Sequence, residues 1–243
     1  NSRLIISKTK KIILISELEK CKKLIKNKII KKTQFLKIDE FQEKLQKLNG
    51  KNFIVDGNSC SIFYENIIKE KFNIIGKEDP TYLFKAIKNK TEINHMISVH
   101  IKDGIALTKF IHWIKKINKK KINEVKAASK LEKFRKMNRS FLYPSFDTIA
   151  GSGKNGAIVH YRANKKNCRN INKKDIFLCD SGGQYKYGTT DVTRTICFSN
   201  QSQSIKNIYT KVLKGHIAVA TTNINKDNIG KKIDKRARKF LKE

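Results

Sequence analysis

The chain has 243 residues, 39% hydrophobic and 31% charged, enough for one large or two modest domains with a real core. No apolar run approaches the roughly 20 residues needed to cross a bilayer, which excludes a helical membrane span on this reading. The 54 Lys and Arg against 21 Asp and Glu give a net charge of +33. A basic balance points to nucleic acid when it forms a stripe. Here the basic residues run from Lys8 to Lys242 without one. Lys outnumbers Arg, and Ile and Asn are enriched beside it; all three have A/T-rich codons, so the charge reads as coding bias and nucleic-acid binding is set aside. Lys119, Lys120 and Lys121 read as a solvated loop. The 5 cysteines, Cys21, Cys60, Cys168, Cys179 and Cys197, are odd in number and show no CxxC spacing, as in a reduced cytoplasmic protein without a disulfide framework.

Residues 1–81 alternate short β runs with amphipathic helices. Leu4–Ile6 and Lys11–Ile15 are strand-like. Ser16 is placed to cap a helix bearing Leu18, Cys21, Leu24 and Ile25 on one face. Strands are expected at 34–37, 52–55 and 72–75, with helices near 40–48 and 58–69, and Gly50 stops the first of these. Asp79-Pro80 marks a boundary, so 82–243 is read as a second domain. Asn89 and Glu92 have capping-box spacing at the head of a long helix running to about Ile117. Its apolar face is read as Ile93, Met96, Ile97, Ile105, Phe110, Ile111 and Ile114; Trp113 is read as core. A second helix carries Val125, Ala128, Leu131 and Phe134 at spacing three. Between Ser145 and Ser199 the chemistry turns to Gly, Thr and aromatics, as in strands and turns. Helices return around Ile205–Leu213 and Ile233–Leu241. The fold class expected is α/β (α+β).

The run from Asp180 to Thr195, Asp-Ser-Gly-Gly-Gln-Tyr-Lys-Tyr-Gly-Thr-Thr-Asp-Val-Thr-Arg-Thr, carries the most chemistry. It reads as a hairpin, 176–180 returning as 191–198, with the glycines supplying turn backbone. Ile176, Leu178 and Asp180 share one face of the first strand; Asp191, Thr193 and Thr195 share one face of the second. The two aspartates meet if those faces coincide. Bare carboxylates side by side repel, and one takes a proton. A hard or borderline divalent cation removes the conflict, and a bridging carboxylate suits a two-metal site. Read from the residues alone, the competing account is ordinary: Asp180 caps a turn and Asp191 faces water. His160, alone on a stretch read as the strand 157–161, is more often a plain strand histidine.

The flanking motifs decide between these readings. Ser145-Phe146-Asp147-Thr148-Ile149-Ala150-Gly151-Ser152-Gly153, Asn155-Gly156-Ala157-Ile158-Val159-His160-Tyr161, Asp180–Tyr185, Gly188–Thr195 and Val212–His216 resemble the Xaa-Pro aminopeptidases of the pita-bread metallopeptidase fold, in their three-domain cytosolic type. The resemblance is clear from about Asp79 onward. Residues 1–81 look like the later part of the creatinase-type domain that precedes the catalytic one, and 82–243 like the first half of the pita-bread domain. It implies that Asp180 is a bidentate metal ligand and Asp191 a bridging one. His160 is implied to contact the substrate or its developing oxyanion, and His216 to be structural. His95, His100 and His112 read as surface or packing residues, and Arg194 as a partner of the site carboxylates. The implied cofactor is two divalent ions, manganese with zinc or cobalt as alternatives. The implied substrate is a peptide with proline in second position, cleaved by a cytoplasmic enzyme, a homodimer when intact. The family completes its ligand set with a histidine in a Gly-Thr-Gly-His-Gly segment and two glutamates, and this chain has no counterpart of them. The first residue is Asn and the last lies in a helical pattern, so the chain reads as an internal fragment, inactive alone and prone to aggregate. Two other readings remain at this stage: a non-catalytic binding protein of the same fold, and a prolidase-like dipeptidase.

Overall fold

A computed structural model of the chain describes residues 2–116, 122–225 and 229–242; the lysine run 119–121 lies outside the described residues. Contacts divide the chain into two units, Asn1–Ile87 and Lys88–Glu243.

In the first unit, β1 (Arg3–Ile6) and β2 (Ile12–Ile15) form an antiparallel hairpin. Helix α1 (Leu18–Lys26) then leads to β3 (Phe35–Leu36), which lies parallel to β2. After α2 (Phe41–Gln46) the pattern repeats: β4 (Asn52–Val55), α3 (Ile62–Lys69) and β5 (Asn73–Gly76), with the strands again parallel, followed by α4 (Thr81–Ala86). Parallel neighbours need a crossover, and the helices supply it. Ile15, Leu36, Phe41, Leu45, Val55, Ile67, Ile68 and Phe72 form one apolar core. Two expectations give way. Ser16 does not cap α1; it is fully buried, its hydroxyl 2.9 Å from that of Ser2, and Glu17 holds the cap position without a side-chain bond. Helix α3 starts at Ile62, not at 58, because Asp56 folds the preceding residues into a turn, accepting the Asn58 amide at 2.9 Å.

The second unit opens with α5 (Lys90–Lys116), capped as its spacing predicts: the Glu92 amide donates to Asn89 Oδ1 at 3.0 Å, and the Asn89 amide to Glu92 Oε2 at 2.8 Å. Helix α6 (Glu124–Lys136) packs against it, its N-terminus capped by Asn123. The strands follow: β6 (Phe141–Pro144), β7 (Ile149–Ser152), β8 (Ile176–Ser181), β9 (Gly183–Tyr185), β10 (Gly188–Thr189) and β11 (Val192–Cys197). They form two antiparallel three-stranded sheets, ordered β11-β8-β7 and β10-β9-β6. Helices α7 (Gln203–Ala220) and α8 (Gly230–Arg238) close the unit. The core joins Leu107, Phe110 and Ile114 of α5, Ala127 and Leu131 of α6, and Phe177, Cys179 and Ile196 of the sheet, with Trp113 packed against it.

The buried faces of the two long helices differ from expectation. On α5 they are Val99, Asp103, Ala106, Leu107, Phe110 and Ile114, while Ile93, Ile97 and Ile105 are exposed. On α6 they are Glu124, Ala127, Leu131 and Arg135. Both helices turn charged residues inward, which an apolar pattern cannot register.

Candidate metal centre

In the register of β8 with β11, Asp180 stands opposite Thr193 and Leu178 opposite Thr195. Directly opposed residues share a face, so the two faces foreseen in the sequence coincide. Phe177, Cys179, Ser181 and Ile196 point the other way, into the core. Asp180 is half-buried and accepts a hydrogen bond from Thr193 Oγ1 at 2.8 Å on Oδ1, which sets its rotamer. Asp191 lies two positions before Thr193 and is exposed, while Thr190 before it is buried. Asp191 lies just before β11 and outside its register with β8; carrying the alternation of β11 one residue back would put it on the Asp180 side. Two carboxylates on one open face are oxygen donors suited to a divalent cation. They are a part of a cage: among the described residues no group of three or more His, Cys, Asp or Glu comes together.

The segment joining the two aspartates is not a simple turn. It crosses into the other sheet, where β9 and β10 make a second, smaller hairpin. Gly182 is the crossing point. A Cβ there would fall 1.9 Å from the Thr190 carbonyl oxygen and 2.2 Å from Ser145 Oγ, a backbone approach only glycine permits.

Beneath the hairpin lies a buried polar cluster absent from the sequence reading. Arg135 donates through Nε to Asp103 Oδ1 at 2.7 Å and through Nη2 to Asp103 Oδ2 at 3.2 Å; Nη2 also donates to Ser181 Oγ at 3.1 Å. The Tyr185 hydroxyl donates to Asp103 Oδ1 at 2.7 Å. Burial acts to raise the Asp103 carboxyl, but the bonds from Arg135 and Tyr185 outweigh it and hold the group below the usual aspartate range. The Tyr185 phenol is pushed up by burial and by its bond to Asp103. Burial also raises the Cys179 thiol to about 11, making it a packing residue and not a nucleophile.

His160 does not sit on a strand. Residues Gly153–Ala157 form a 3-10 turn and the chain then bends through His160, which is exposed with φ of +54°. The reversal is enforced by Gly151 and Gly156, whose backbones touch: a Cβ on Gly151 would come within 2.8 Å of Gly156. The loop is fastened next door. Tyr161 donates from its hydroxyl to Glu124 Oε2 at 2.8 Å, and Glu124 also accepts from the amides of Ser152 (2.7 Å) and Arg169 (2.9 Å) and from Asn155 Nδ2. Burial, aided by Glu124, pushes the Tyr161 phenol up to about 12. A non-glycine residue in left-handed backbone is a strained conformation, of a kind that gathers at functional sites.

Arg194 is not a partner of the aspartates. It stands opposite Cys179, on the other face, and its Nη1 donates to the Thr193 carbonyl at 2.8 Å. His95 lies against the Tyr187 ring at 4.9 Å, and His100 bonds the Met96 carbonyl within α5. The residues missed from sequence, Asp103, Glu124 and Arg135, left one trace. Each stands at a helical position in phase with buried apolar neighbours, such as Val99 and Ala106 around Asp103.

Residues 94–243 match the model of metallopeptidase family M24, and residues 1–92 match the creatinase/prolidase N-terminal domain. The chain belongs to metallopeptidase family M24. The M24 part is a portion of a pita-bread domain, following a creatinase-type domain. The chain is 48% identical over 160 residues to "Probable Xaa-Pro aminopeptidase P" of Paracoccidioides brasiliensis (strain Pb03), covering 65% of this chain and 26% of that protein. It is 49% identical over the same length to the protein so named from Sordaria macrospora, with the same coverage. The chain thus spans about a quarter of the length of the curated relatives it matches. Among solved structures, the Xaa-Pro dipeptidase from Bacillus anthracis superposes with a TM-score of 0.76 at 21% identity, covering 100% of this chain and 67% of that one. The X-prolyl aminopeptidase from Caenorhabditis elegans, described as a cytosolic enzyme with a di-nuclear active site, gives 0.75 at 24% identity, covering 99% and 41%. These two likenesses carry the fold.

Proposed function

We propose that this chain is the first half of the catalytic apparatus of a cytoplasmic, metal-dependent Xaa-Pro aminopeptidase, which removes the N-terminal residue from peptides with proline in second position. The reading is carried by the register that puts Asp180 opposite Thr193, with Asp191 exposed two residues before Thr193, inside an M24 match. The near-half identity to proteins named for this activity supports the substrate class. Two divalent ions, manganese first, supply Lewis acidity toward water and the scissile carbonyl. Asp180 and Asp191 hold them, and Thr193 fixes Asp180. His160, presented at an exposed bend, donates a hydrogen bond to the substrate carbonyl as negative charge builds on its oxygen. The homodimer belongs to the same proposal. So does the division into two domains, expected at 81/82; the two family matches follow one another in that order but meet at 92/94, and the contact units divide at Ile87/Lys88.

The 243-residue chain alone, with two carboxylates and no cluster of three donors among its described residues, is inactive in this account. It is also prone to aggregate: Ile208, Tyr209, Val212 and Ile217 of α7 are all more than half exposed. A dipeptidase reading has the Bacillus anthracis likeness in its favour. The test is cleavage by a protein carrying this chain at its relatives' full length, with Mn²⁺, of an Xaa-Pro tripeptide and an Xaa-Pro dipeptide. Cleavage of the tripeptide, abolished by Asp191→Asn, is expected. Action on the dipeptide alone would install the dipeptidase, and activity untouched by Asp191→Asn would refute the ligand assignment.

A further inference from the structure

Each candidate ligand has a hydroxyl residue as its chain neighbour: Ser181 directly follows Asp180, and Thr190 directly precedes Asp191. Neighbours in extended chain point to opposite faces. Where the aspartates face the open side, Ser181 and Thr190 are turned into the protein, at 0% and 1% exposure. The buried ion pair reaches both. Ser181 Oγ takes a bond from Arg135 Nη2 at 3.1 Å, while Thr190 Oγ1 accepts the Gly183 amide at 3.0 Å and lies near enough to Asp103 to help hold its carboxyl down. Tyr185, from the strand between, adds its hydroxyl to Asp103. Asp103 comes from α5 and Arg135 from α6, so two packed helices reach the underside of both ligand positions.

A buried ion pair is a poor device for stability alone, since well-packed apolar residues of similar volume do as well or better. Its distinctive property is directional: a forked guanidinium–carboxylate pair fixes angles as well as distance. Here every polar atom of the cluster is engaged, with no buried side-chain polar atom lacking a partner among the described residues.

We propose that the Asp103–Arg135 pair is the positioning device for the two metal carboxylates, setting the spacing of Asp180 and Asp191 from beneath through Ser181 and Thr190. The proposal rests on the reading of those aspartates as ligands. The pair touches neither metal nor substrate, so both are positioning residues. Outer-shell partners of metal ligands commonly change affinity by about 10–100-fold.

The test uses a protein carrying this chain at its relatives' full length, with Mn²⁺ alone as probe. The variants are Ser181→Ala, Thr190→Val, Thr190→Ser, and Leu131→Ala as a buried apolar comparison on α6. Mn²⁺ affinity is read by water-proton relaxation, and exchange of the β8 and β11 amides by hydrogen–deuterium exchange. Expected are a loss of affinity of about 10–100-fold in Ser181→Ala and Thr190→Val, faster exchange confined to those strands, and near wild-type values in Thr190→Ser, which keeps the hydroxyl. Leu131→Ala should lower thermal stability and leave affinity in place. Equal behaviour of Thr190→Ser and Thr190→Val, or equal losses of affinity in Leu131→Ala, would overturn the proposal. Binding no tighter than in an Asp180→Asn/Asp191→Asn double variant would refute the ligand reading instead. The exchange measurement then still decides: strand amides unchanged in Thr190→Val overturn the positioning role.

Discussion

In the first unit Ile15, Leu45, Ile68 and Phe72 close the interior with carbon, and Ser16 is the one buried polar residue among those described there. In the second, Phe110, Leu131 and Phe177 share the interior with Asp103, Glu124, Arg135, Ser152, Asn155, Ser181 and Thr190. Apolar packing specifies volume and tolerates substitution that conserves it. Buried polar networks are directional, and leaving one partially satisfied is costly. The difference teaches where geometry matters in this chain. The unit with the candidate site keeps two networks: one beside Asp180, through Ser181, and one fastening the segment next to the bend at His160.

The largest effect should come from cutting the first network. Arg135→Met strands a buried Asp103, and the loss expected is about 3–5 kcal/mol, followed through Trp113, the single tryptophan, which packs on the core of the second unit. Leu45→Ala in the first unit should cost about 2–5 kcal/mol from lost burial and a cavity. A near-neutral Arg135→Met beside a damaging Leu45→Ala would dissolve the contrast between the units.

A smaller effect sharpens it through pH. The Asp103 carboxyl is held below its ordinary value in the folded state, so its contribution is present above the unfolded value of about 3.9 and is lost as pH falls through the folded one. Wild type should therefore exceed Asp103→Asn in stability at neutral pH, with the gap closing below about pH 4. A gap that stays constant into acid would mean that the charge of Asp103 is not what the network uses.

Much of this architecture was legible because it is local. The capping box at Asn89 and Glu92, the β runs of the first unit and the facing sides of β8 and β11 all follow from spacing within a few residues. What stayed hidden depends on partners far along the chain. Glu124 looks like an exposed first-turn residue of α6 until Ser152 and Tyr161 arrive to bond it, and Arg135 until Asp103 does. The bend at His160 was hidden for a related reason: it follows a 3-10 turn closed by the contact of Gly151 with Gly156, and a β-rich composition reads through both as a strand. The α5 face was misread because its isoleucines outweigh the smaller Ala106 and Val99 that do the packing.

The most direct test of the central claim is Mn²⁺ binding to a protein carrying this chain at its relatives' full length, measured by water-proton relaxation in wild type, Asp180→Asn and Asp191→Asn. Binding in wild type that falls in both single variants is the predicted result, because the proposal makes both carboxylates ligands. Binding of equal strength in all three proteins would contradict it.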